Sequence, residues 1–346
     1  MHVEHRRILQ RYLSVHKKSS LVLSYVEHQA DDMKISLGII GLGAMGTEML
    51  DVACRHPDFE VVAAADPNPA AVERIRARHP DIVLGQDPSS LAEDDRLNAL
   101  YIASPPDTHA SYAIPAMSAG KAVFSEKPLA VRLTDGIEMV RVAAETGAVN
   151  ALNFTLSDRA AAVEVGRAVQ ADEAGDILGV DMRFTFPAWP RAFQSDAAWV
   201  AGREQGGLLR EVGSHYVFFT DRLLGPLTPV STRIHYGPAA ETSAIGSFTA
   251  GGVPITLTGN VAAAPESYEW ILYGGKRSYR ITDWSHLHIS DGGPWAELPL
   301  SGPHGSEHTR LSAFANAIRG QPSTLADFAA GLRVQQAVEH FHRTAS

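Results

Sequence analysis

The sequence predicts an α/β protein with a doubly wound parallel sheet first and an α+β domain with a largely antiparallel open sheet second. Three observations carry this. Strand-like and helix-like segments alternate from Met33 to about Phe154. The first strand runs into a glycine-rich turn, "GLGAMG". From Leu227 to about Ile289, short β-like runs follow one another with Gly, Asn and Asp between them. Strands separated by full helices imply βαβ units with right-handed crossovers. Closely spaced runs broken by turn residues imply antiparallel neighbours.

Taken in order, "ISLGIIG" is a short apolar strand and "AMGTEMLDVACRH" a helix. "EVVAAAD" is a second strand, "PAAVERIRARH" a helix, and "DIVLG" a short third strand. "NALYIAS" is the fourth, followed by a helix through "DTHASYAIPAMSAG". "KAVFSEKP" is the fifth, "VRLTDGIEMVRVAAETG" a helix, and "VNALNF" the sixth. Beyond residue 155, a helix ("RAAAVEVGRAVQ") leads to the strand "GVDMRFTF" and a loop with Pro187, Trp189 and Pro190. A further helix contains "GGLLREVGSH". The β-like runs are "STRIHYG", "SAIGSFTA", "VPITLTGNVA", "SYEWILYGG" and "RSYRITD". Two helices, near 305–319 and 325–342, close the chain.

The chain has 346 residues, enough for two domains and a large core. Residues 1–32 stand apart as an extension expected to be poorly ordered. Residues 33–154 form the first domain and 155–346 the second, whose last helices are placed to pack back on the first. Hydrophobic residues are 45% and charged residues 20%, ordinary for a soluble globular protein. The net charge is −9 with no basic stripe, so no nucleic-acid partner is expected. No run of 18 apolar residues exists, so no membrane span is expected. Cys54 is the only cysteine, which fits a reducing, cytoplasmic setting. Arg6-Arg7 invites a twin-arginine export reading. The apolar run "LVLSYV" is short for that role, and no A-x-A-type site follows. An upstream start, with Met33 as the functional first residue, is the plainer alternative.

Gly41, Gly43 and Gly46 follow a strand and open a helix, the context of a Rossmann dinucleotide-binding turn. Glycines permit the tight turn and let the backbone approach a pyrophosphate. The helix start at Ala44 and Met45 then supplies N–H groups and a positive dipole end. Asp66 ends the second strand about 20 residues beyond Gly46, where a carboxylate accepts hydrogen bonds from a ribose 2′-OH. The plain alternatives are a simple turn for the glycines and a turn residue in "DPNP" for Asp66. A carboxylate there repels a 2′-phosphate, and Pro67 and Asn68 follow it rather than an arginine. NAD is therefore favoured over NADP, with Arg74, Arg76 and Arg78 on the next helix as the counterweight.

In "GGLLREVGSH", Glu211 and His215 stand at i, i+4 and share a helix face. With His215 at zero and about 100° per residue, Leu208, Val212 and Phe219 fall near +20 to +60°. Glu211 falls near −40°, while Arg210, Ser214 and Asp221 cluster near −100 to −140°. The pair thus lies beside the apolar arc, and the other three form the expected wet face. Titratable groups on a buried arc need partners or a function. Three readings stand: a proton relay, a structural buried pair, or two ligands of a metal. A metal needs a third ligand, and "HLH" (His286, His288) and "HFH" (His340, His342) are incidental patterns, so no metal is expected.

Together with "GLGAMG", the segments "ASPPDTHASYAIPAMSAGKAVFSEKPLA" (102–130) and "GGLLREVGSH" make the chain resemble the Gfo/Idh/MocA family of NAD(P)-dependent oxidoreductases, from Met33 to the C-terminus. The resemblance implies a Rossmann domain, an α+β domain whose sheet face makes homodimers or homotetramers, and oxidation of a sugar or polyol hydroxyl or reduction of the matching ketone. It places Glu126, Lys127 and Pro128 as the Glu-Lys-Pro motif, with Lys127 between nicotinamide and substrate and a cis bond before Pro128. It places Ser104, Pro105, Pro106 and His109 along the nicotinamide side of the cleft. Asp107 and Thr108 have the plainer reading of helix caps. The family's Asp-x-Gly-x-His reads Glu211-Val-Gly213-Ser-His215 here, so the acid is one methylene longer. The Asp common three residues after the His is replaced by Phe218.

The residues themselves agree on Lys127. It follows the fifth strand at the carboxyl edge of the sheet, where ligands bind in such folds. The expected scheme is reversible hydride transfer. His215 is the base on oxidation and the acid on reduction. Lys127 polarises or relays the same oxygen, and Glu211 orients His215 or binds a neighbouring hydroxyl. Asn153 reaches the same cleft from the sixth strand. Trp189, Arg191 and Trp199 precede Glu211; the aromatics are placed to stack on a sugar ring and Arg191 to bind a carboxylate, with core packing as the alternative. Other readings are a non-catalytic ligand sensor, the reverse reaction direction, and a non-sugar substrate such as a dihydrodiol.

Overall fold

The computed structural model describes residues 34–194, 197–301 and 305–343. The N-terminal extension, with Arg6-Arg7, lies outside the described residues. Strands β1 (Ile35–Ile40), β2 (Phe59–Ala65), β3 (Val83–Gly85), β4 (Ala99–Ile102), β5 (Ala122–Ser125) and β6 (Asn150–Leu152) form one sheet in the order β3-β2-β1-β4-β5-β6. Its pairings are all parallel. Helices α1 (Ala44–Ala53), α2 (Pro69–Arg76), α3 (His109–Ser118) and α4 (Leu133–Thr146) make the connections. Both sheet faces are covered, so β4 and β5 are buried at every position and read as unbroken apolar runs. The strand order reverses between β1 and β4, which opens a crevice at their carboxyl ends.

Helix α5 (Ala160–Gln170) leads into the second domain. Its strands are β7 (Ile177–Phe186), β8 (Thr228–Tyr236), β9 (Glu241–Ala250), β10 (Val253–Val261), β11 (Ser267–Gly274), β12 (Ser278–Thr282), β13 (His286–Ser290) and β14 (Ala296–Glu297). They form an eight-stranded sheet in the order β14-β13-β12-β11-β7-β10-β9-β8. β7 pairs with β10 in parallel, and the other pairings are antiparallel. Along β7, Val180, Met182, Phe184 and Phe186 are buried, while Asp181, Arg183 and Thr185 turn to the other, more open face. The buried face packs under helix α6 (Ser214–Leu224), where Phe219 meets Trp270 at 4.6 Å between centroids.

The last two helices join the domains. α7 (Glu307–Ile318) opens with a capping box between Ser306 and Thr309. It sets Phe314 against Phe59 and Phe124 of the first domain. α8 (Phe328–Arg343) packs against α4 and α6. It follows a bridge in which Leu152 N donates to the Ala326 carbonyl at 2.8 Å.

Two expectations about the "GGLLREVGSH" region are corrected. Leu209–Gly213 is a π-helical turn that runs into α6, so 100° per residue does not hold between Glu211 and His215. The supposed wet face is also dry, with Arg210, Ser214 and Asp221 all buried. Arg210 meets Glu339 at 2.6 Å, and Asp221 meets Arg333 at 2.8 Å. The cause is α8, which arrives from more than a hundred residues away and brings the opposite charges with it.

Candidate active site

The site starts at the glycine turn. Gly41 has φ +90°, and a Cβ there would lie 2.6 Å from the Ala103 carbonyl oxygen. A Cβ on Gly46 would lie 1.8 Å from the Gly41 carbonyl oxygen, so only glycine lets β1 close onto α1. At Gly43 nothing lies within 4 Å of the missing Cβ, and Gly43, Ala44 and Met45 are exposed. No side chain caps α1, which leaves the N–H groups of its first turn facing open space. An open, uncapped helix start behind a packed glycine turn fits a pyrophosphate. Asp66 accepts from Leu42 N at 2.6 Å and from Asn68 N at 2.8 Å. A carboxylate has further lone pairs, enough for a ribose diol. Arg74 donates to the Leu42 carbonyl at 2.8 Å, so a guanidinium and a carboxylate flank the same residue of the turn.

The turn after β4 behaves differently from expectation. His109 is wholly buried, with Nδ1 2.9 Å from the Pro128 carbonyl and Nε2 3.0 Å from the Ser104 carbonyl. Burial lowers its pKa although both carbonyls oppose that shift. Both ring nitrogens face backbone carbonyls, and a neutral ring donates to one of them, so His109 sits buried between the Ser104 turn and the cis Lys127–Pro128 junction. Neither Asp107 nor Thr108 caps a helix with its side chain. Thr108 Oγ1 instead donates within the turn, at 2.7 Å to Ser104 Oγ or the Pro105 carbonyl. Ser104 stays half-buried and Pro105 exposed at the rim.

Asn153 is also reassigned. Its Nδ2 donates to Glu126 at 2.8 Å and to Glu307 at 3.0 Å, tying two carboxyls together beneath the cleft. Tyr101 donates its hydroxyl to Glu126 at 2.5 Å. Burial, and then the neighbouring Glu307 charge, push the Glu126 pKa upward. Arg310 balances Glu307 and also meets Asp158 at 2.8 Å. Asn153 Nδ2 therefore belongs to a buried network between α7 and the first domain, while the buried Oδ1 accepts no hydrogen bond.

Lys127 lies at the carboxyl edge of β5, with its ammonium 2.9 Å from Glu211 Oε1. This is an ion pair rather than an aligned hydrogen bond: Glu211 Oε1 accepts none, and the ammonium's aligned bond runs to the Glu211 carbonyl at 3.4 Å. Glu211 Oε2 accepts from Gln194 Nε2 at 3.0 Å. His215 packs edge-on to Phe154 and Trp284. Its Nδ1 accepts from the backbone N–H of Thr155 at 3.1 Å. Burial, and then the Lys127 charge, hold its pKa well below the ordinary imidazole range. The ring is neutral, and with Nδ1 accepting, its proton resides on Nε2. Glu211 thus pairs with Lys127, not with His215.

Two family profiles match the chain. Residues 35–154 match the Gfo/Idh/MocA oxidoreductase family, NAD-binding Rossmann fold, and residues 162–280 match the Gfo/Idh/MocA C-terminal domain. The chain belongs to the Gfo/Idh/MocA family. It is 28% identical to a dTDP-3,4-didehydro-2,6-dideoxy-α-D-glucose 3-reductase of Saccharopolyspora spinosa over 62% of this chain and 63% of that one. It is 34% identical to an inositol 2-dehydrogenase of Acidothermus cellulolyticus over 32% of this chain and 33% of that one. The match thus spans less than two thirds of these curated relatives. In fold, it is similar to the WlbA dehydrogenase of Bordetella pertussis, solved with NADH and UDP-GlcNAcA, with TM-score 0.78 and 22% identity over 90% of this chain and 96% of that one.

Glu211 reaches Lys127 from the π turn that carries it. Three contributors had no sequence signal. Thr155 acts through its backbone N–H, and Gln194 sits in a loop with no motif. Trp284 occupies a tight turn at φ +69° and stacks on Tyr216 at 5.1 Å. Trp189 packs on Phe186 and donates to the Val200 carbonyl at 3.2 Å. Trp199 makes no ring contact with these aromatics. Among the described residues, no three His, Cys, Asp or Glu side chains are grouped to hold a metal, and no helix is long and apolar enough to cross a membrane.

Proposed function

We propose that the chain moves a hydride between a nicotinamide cofactor and a secondary alcohol or matching ketone of a sugar, polyol or related small molecule. The observation that carries this is the Lys127–Glu211 ion pair at 2.9 Å, beside His215, at the carboxyl edge of the parallel sheet. The names of the relatives, a sugar-nucleotide reductase and an inositol dehydrogenase, support the substrate class.

The nicotinamide, when bound, supplies or accepts the hydride. The glycine turn and the α1 start hold its pyrophosphate, and Asp66 its ribose. NAD is favoured because Asp66 repels a 2′-phosphate; Arg74 beside it is the feature that tempers the preference.

The protein's own part is the proton on the substrate oxygen. The Lys127 ammonium and the His215 Nε2–H are two donors, and a carbonyl oxygen gaining negative charge takes two. Lys127 gives its proton to that oxygen in reduction and takes it back in oxidation. Glu211 holds the ammonium in place, and His215 polarises as a neutral donor. This departs from His215 as the base, because its Nδ1 lone pair is committed to the Thr155 N–H.

The open face of the second sheet is the expected surface for a homodimer or homotetramer, and the single cysteine, Cys54, fits a cytoplasmic setting. The test is a panel of sugars, polyols, dihydrodiols and their ketones, followed by absorbance of the reduced nicotinamide with NAD and NADP side by side. Turnover that survives both Lys127→Met and His215→Ala, or no turnover with any compound, would overturn the reading. A ligand sensor would bind from the same panel without turnover.

A further inference from the structure

The hydride-transfer scheme gives Arg191, a cation near the site, no task. Arg191 lies against three aromatic rings, at 4.7 Å from the Phe193 centroid, 5.5 Å from Trp189 and 5.9 Å from Phe186. Its Nε donates to Gln194 Oε1 at 2.9 Å and its Nη1 to the Tyr268 hydroxyl at 3.2 Å. Gln194 is buried and passes the contact on, from its Nε2 to Glu211 Oε2 at 3.0 Å. The other Glu211 oxygen faces Lys127. A continuous chain of side chains thus runs from Arg191 through Gln194 and Glu211 to Lys127.

Three other arginines of the second domain are neutralised by carboxylates. Arg310 is paired with Asp158 and Glu307, Arg210 with Glu339, and Arg333 with Asp221. Among the described residues, no carboxylate lies within ion-pair distance of Arg191. Its charge nevertheless reaches the site, where it helps keep His215 neutral, after burial and Lys127. A guanidinium fixed through Nε and one Nη1 hydrogen still has N–H groups along its Nη1–Nη2 edge. That edge matches the two oxygens of a carboxylate or phosphoryl group.

We infer that Arg191 is the recognition point for an anionic substituent, carboxylate or phosphoryl, on the substrate, and that Gln194 positions it relative to the Glu211–Lys127 pair. Only the word substrate rests on the proposed hydride transfer; the anion preference is a property of binding. A purely structural staple between the loop and Tyr268 would create no such preference.

The test is calorimetric binding to the NADH-loaded protein, with D-glucose, D-glucuronate and D-glucose 6-phosphate as probes. The expected result is that at least one anionic probe binds about tenfold or more tightly than glucose, the scale of a hydrogen bond to a charged group. Rising salt should erode that margin. The two anionic arms separate a carboxylate from a phosphoryl preference. Arg191→Gln should abolish the margin while NADH binding stays intact. Arg191→Lys, which keeps the charge and loses the fork, covers the case of a poorly folded Gln variant and should keep only part of it. No anion preference in the wild type, or an undiminished one in both variants, overturns the inference. Failure of the hydride-transfer reading looks different: no turnover with any compound, yet an anion preference that persists in binding.

Discussion

Lys127 and Glu211 come from different domains, one after β5 and the other on the π turn before α6, and their charges meet at 2.9 Å in a nearly dry cleft. Breaking a buried pair from one side leaves an uncompensated charge, which costs about 3–5 kcal/mol. Activity and stability therefore need separate readouts. Lys127→Met should lower kcat by about 10²–10⁴-fold, the range of a lost proton-transfer group, and also lower Tm. Adding Glu211→Gln should recover much of the Tm and none of the kcat. A double variant that regained turnover would remove Lys127 from the chemistry.

The Thr155 N–H that fixes His215 makes a spectroscopic prediction. With Nδ1 accepting from that N–H at 3.1 Å, ¹⁵N NMR of the imidazole in the intact protein near neutral pH should show one tautomer, protonated on Nε2. A mixture of tautomers, or a proton on Nδ1, would show that the Thr155 N–H does not fix the ring.

The proposed cofactor preference rests on Asp66 and Arg74, which both reach the backbone of Leu42. Asp66→Ser should weaken NAD binding by about tenfold and narrow the gap to NADP, since hydrogen bonds to a charged group contribute about 1.5–3 kcal/mol. Arg74→Ala should weaken NADP more than NAD. Unchanged NAD affinity in the Asp66 variant would defeat the assignment.

Stability should respond to pH through buried groups within and outside the cleft. Glu241 is buried, accepts from Leu208 N at 3.0 Å, and burial pushes its pKa from 4.5 to about 7. His342 Nε2 stands 3.5 Å away, but burial lowers that ring's pKa to about 3, so the two meet as a neutral histidine and a reluctant carboxylate, not as an ion pair. A raised carboxyl pKa means that the folded state holds its proton longer, so stability is lost as pH rises from about 4.5 to about 7. Glu241→Gln should therefore raise stability at pH near 8 by about 2–3 kcal/mol and change little near pH 4. His109, His215 and His342 act with the opposite sign: their lowered values mean stability lost as pH falls below about 6.5. Urea titrations across this range check both slopes. A Glu241→Gln variant with no alkaline gain would rule out the strained carboxylate under Leu208.

Gly207 adds a steric side to the same place. It has φ +99°, and a Cβ on it would lie 1.8 Å from Glu241 Oε2. The glycine pair that opens "GGLLREVGSH" thus lets the chain pass over a buried acid on its way into the π turn.

What the sequence determined by itself was everything governed by short-range rules. The βαβ alternation, the glycine turn and the Glu-Lys-Pro motif are local patterns, and they suffice to place Gly41, Asp66 and Lys127. His215 is singled out by its i, i+4 spacing from Glu211 and by the resemblance of Glu211-Val-Gly213-Ser-His215 to the family motif. What only the tertiary structure decided were the partners. The angular reading of "GGLLREVGSH" failed at the π turn and again at Arg210 and Asp221, because α8 comes from the far end of the chain with matching charges. His109 and Asn153 looked like cleft residues from their position after strands, yet the His109 ring and Asn153 Nδ2 turn inward to backbone carbonyls and carboxyls that no local pattern announces. Glu211 meets Lys127 rather than His215 for the same reason. Which side chains share a chain segment is written in the sequence, but a buried polar atom takes whichever partner the packing of distant elements brings within 3 Å or so.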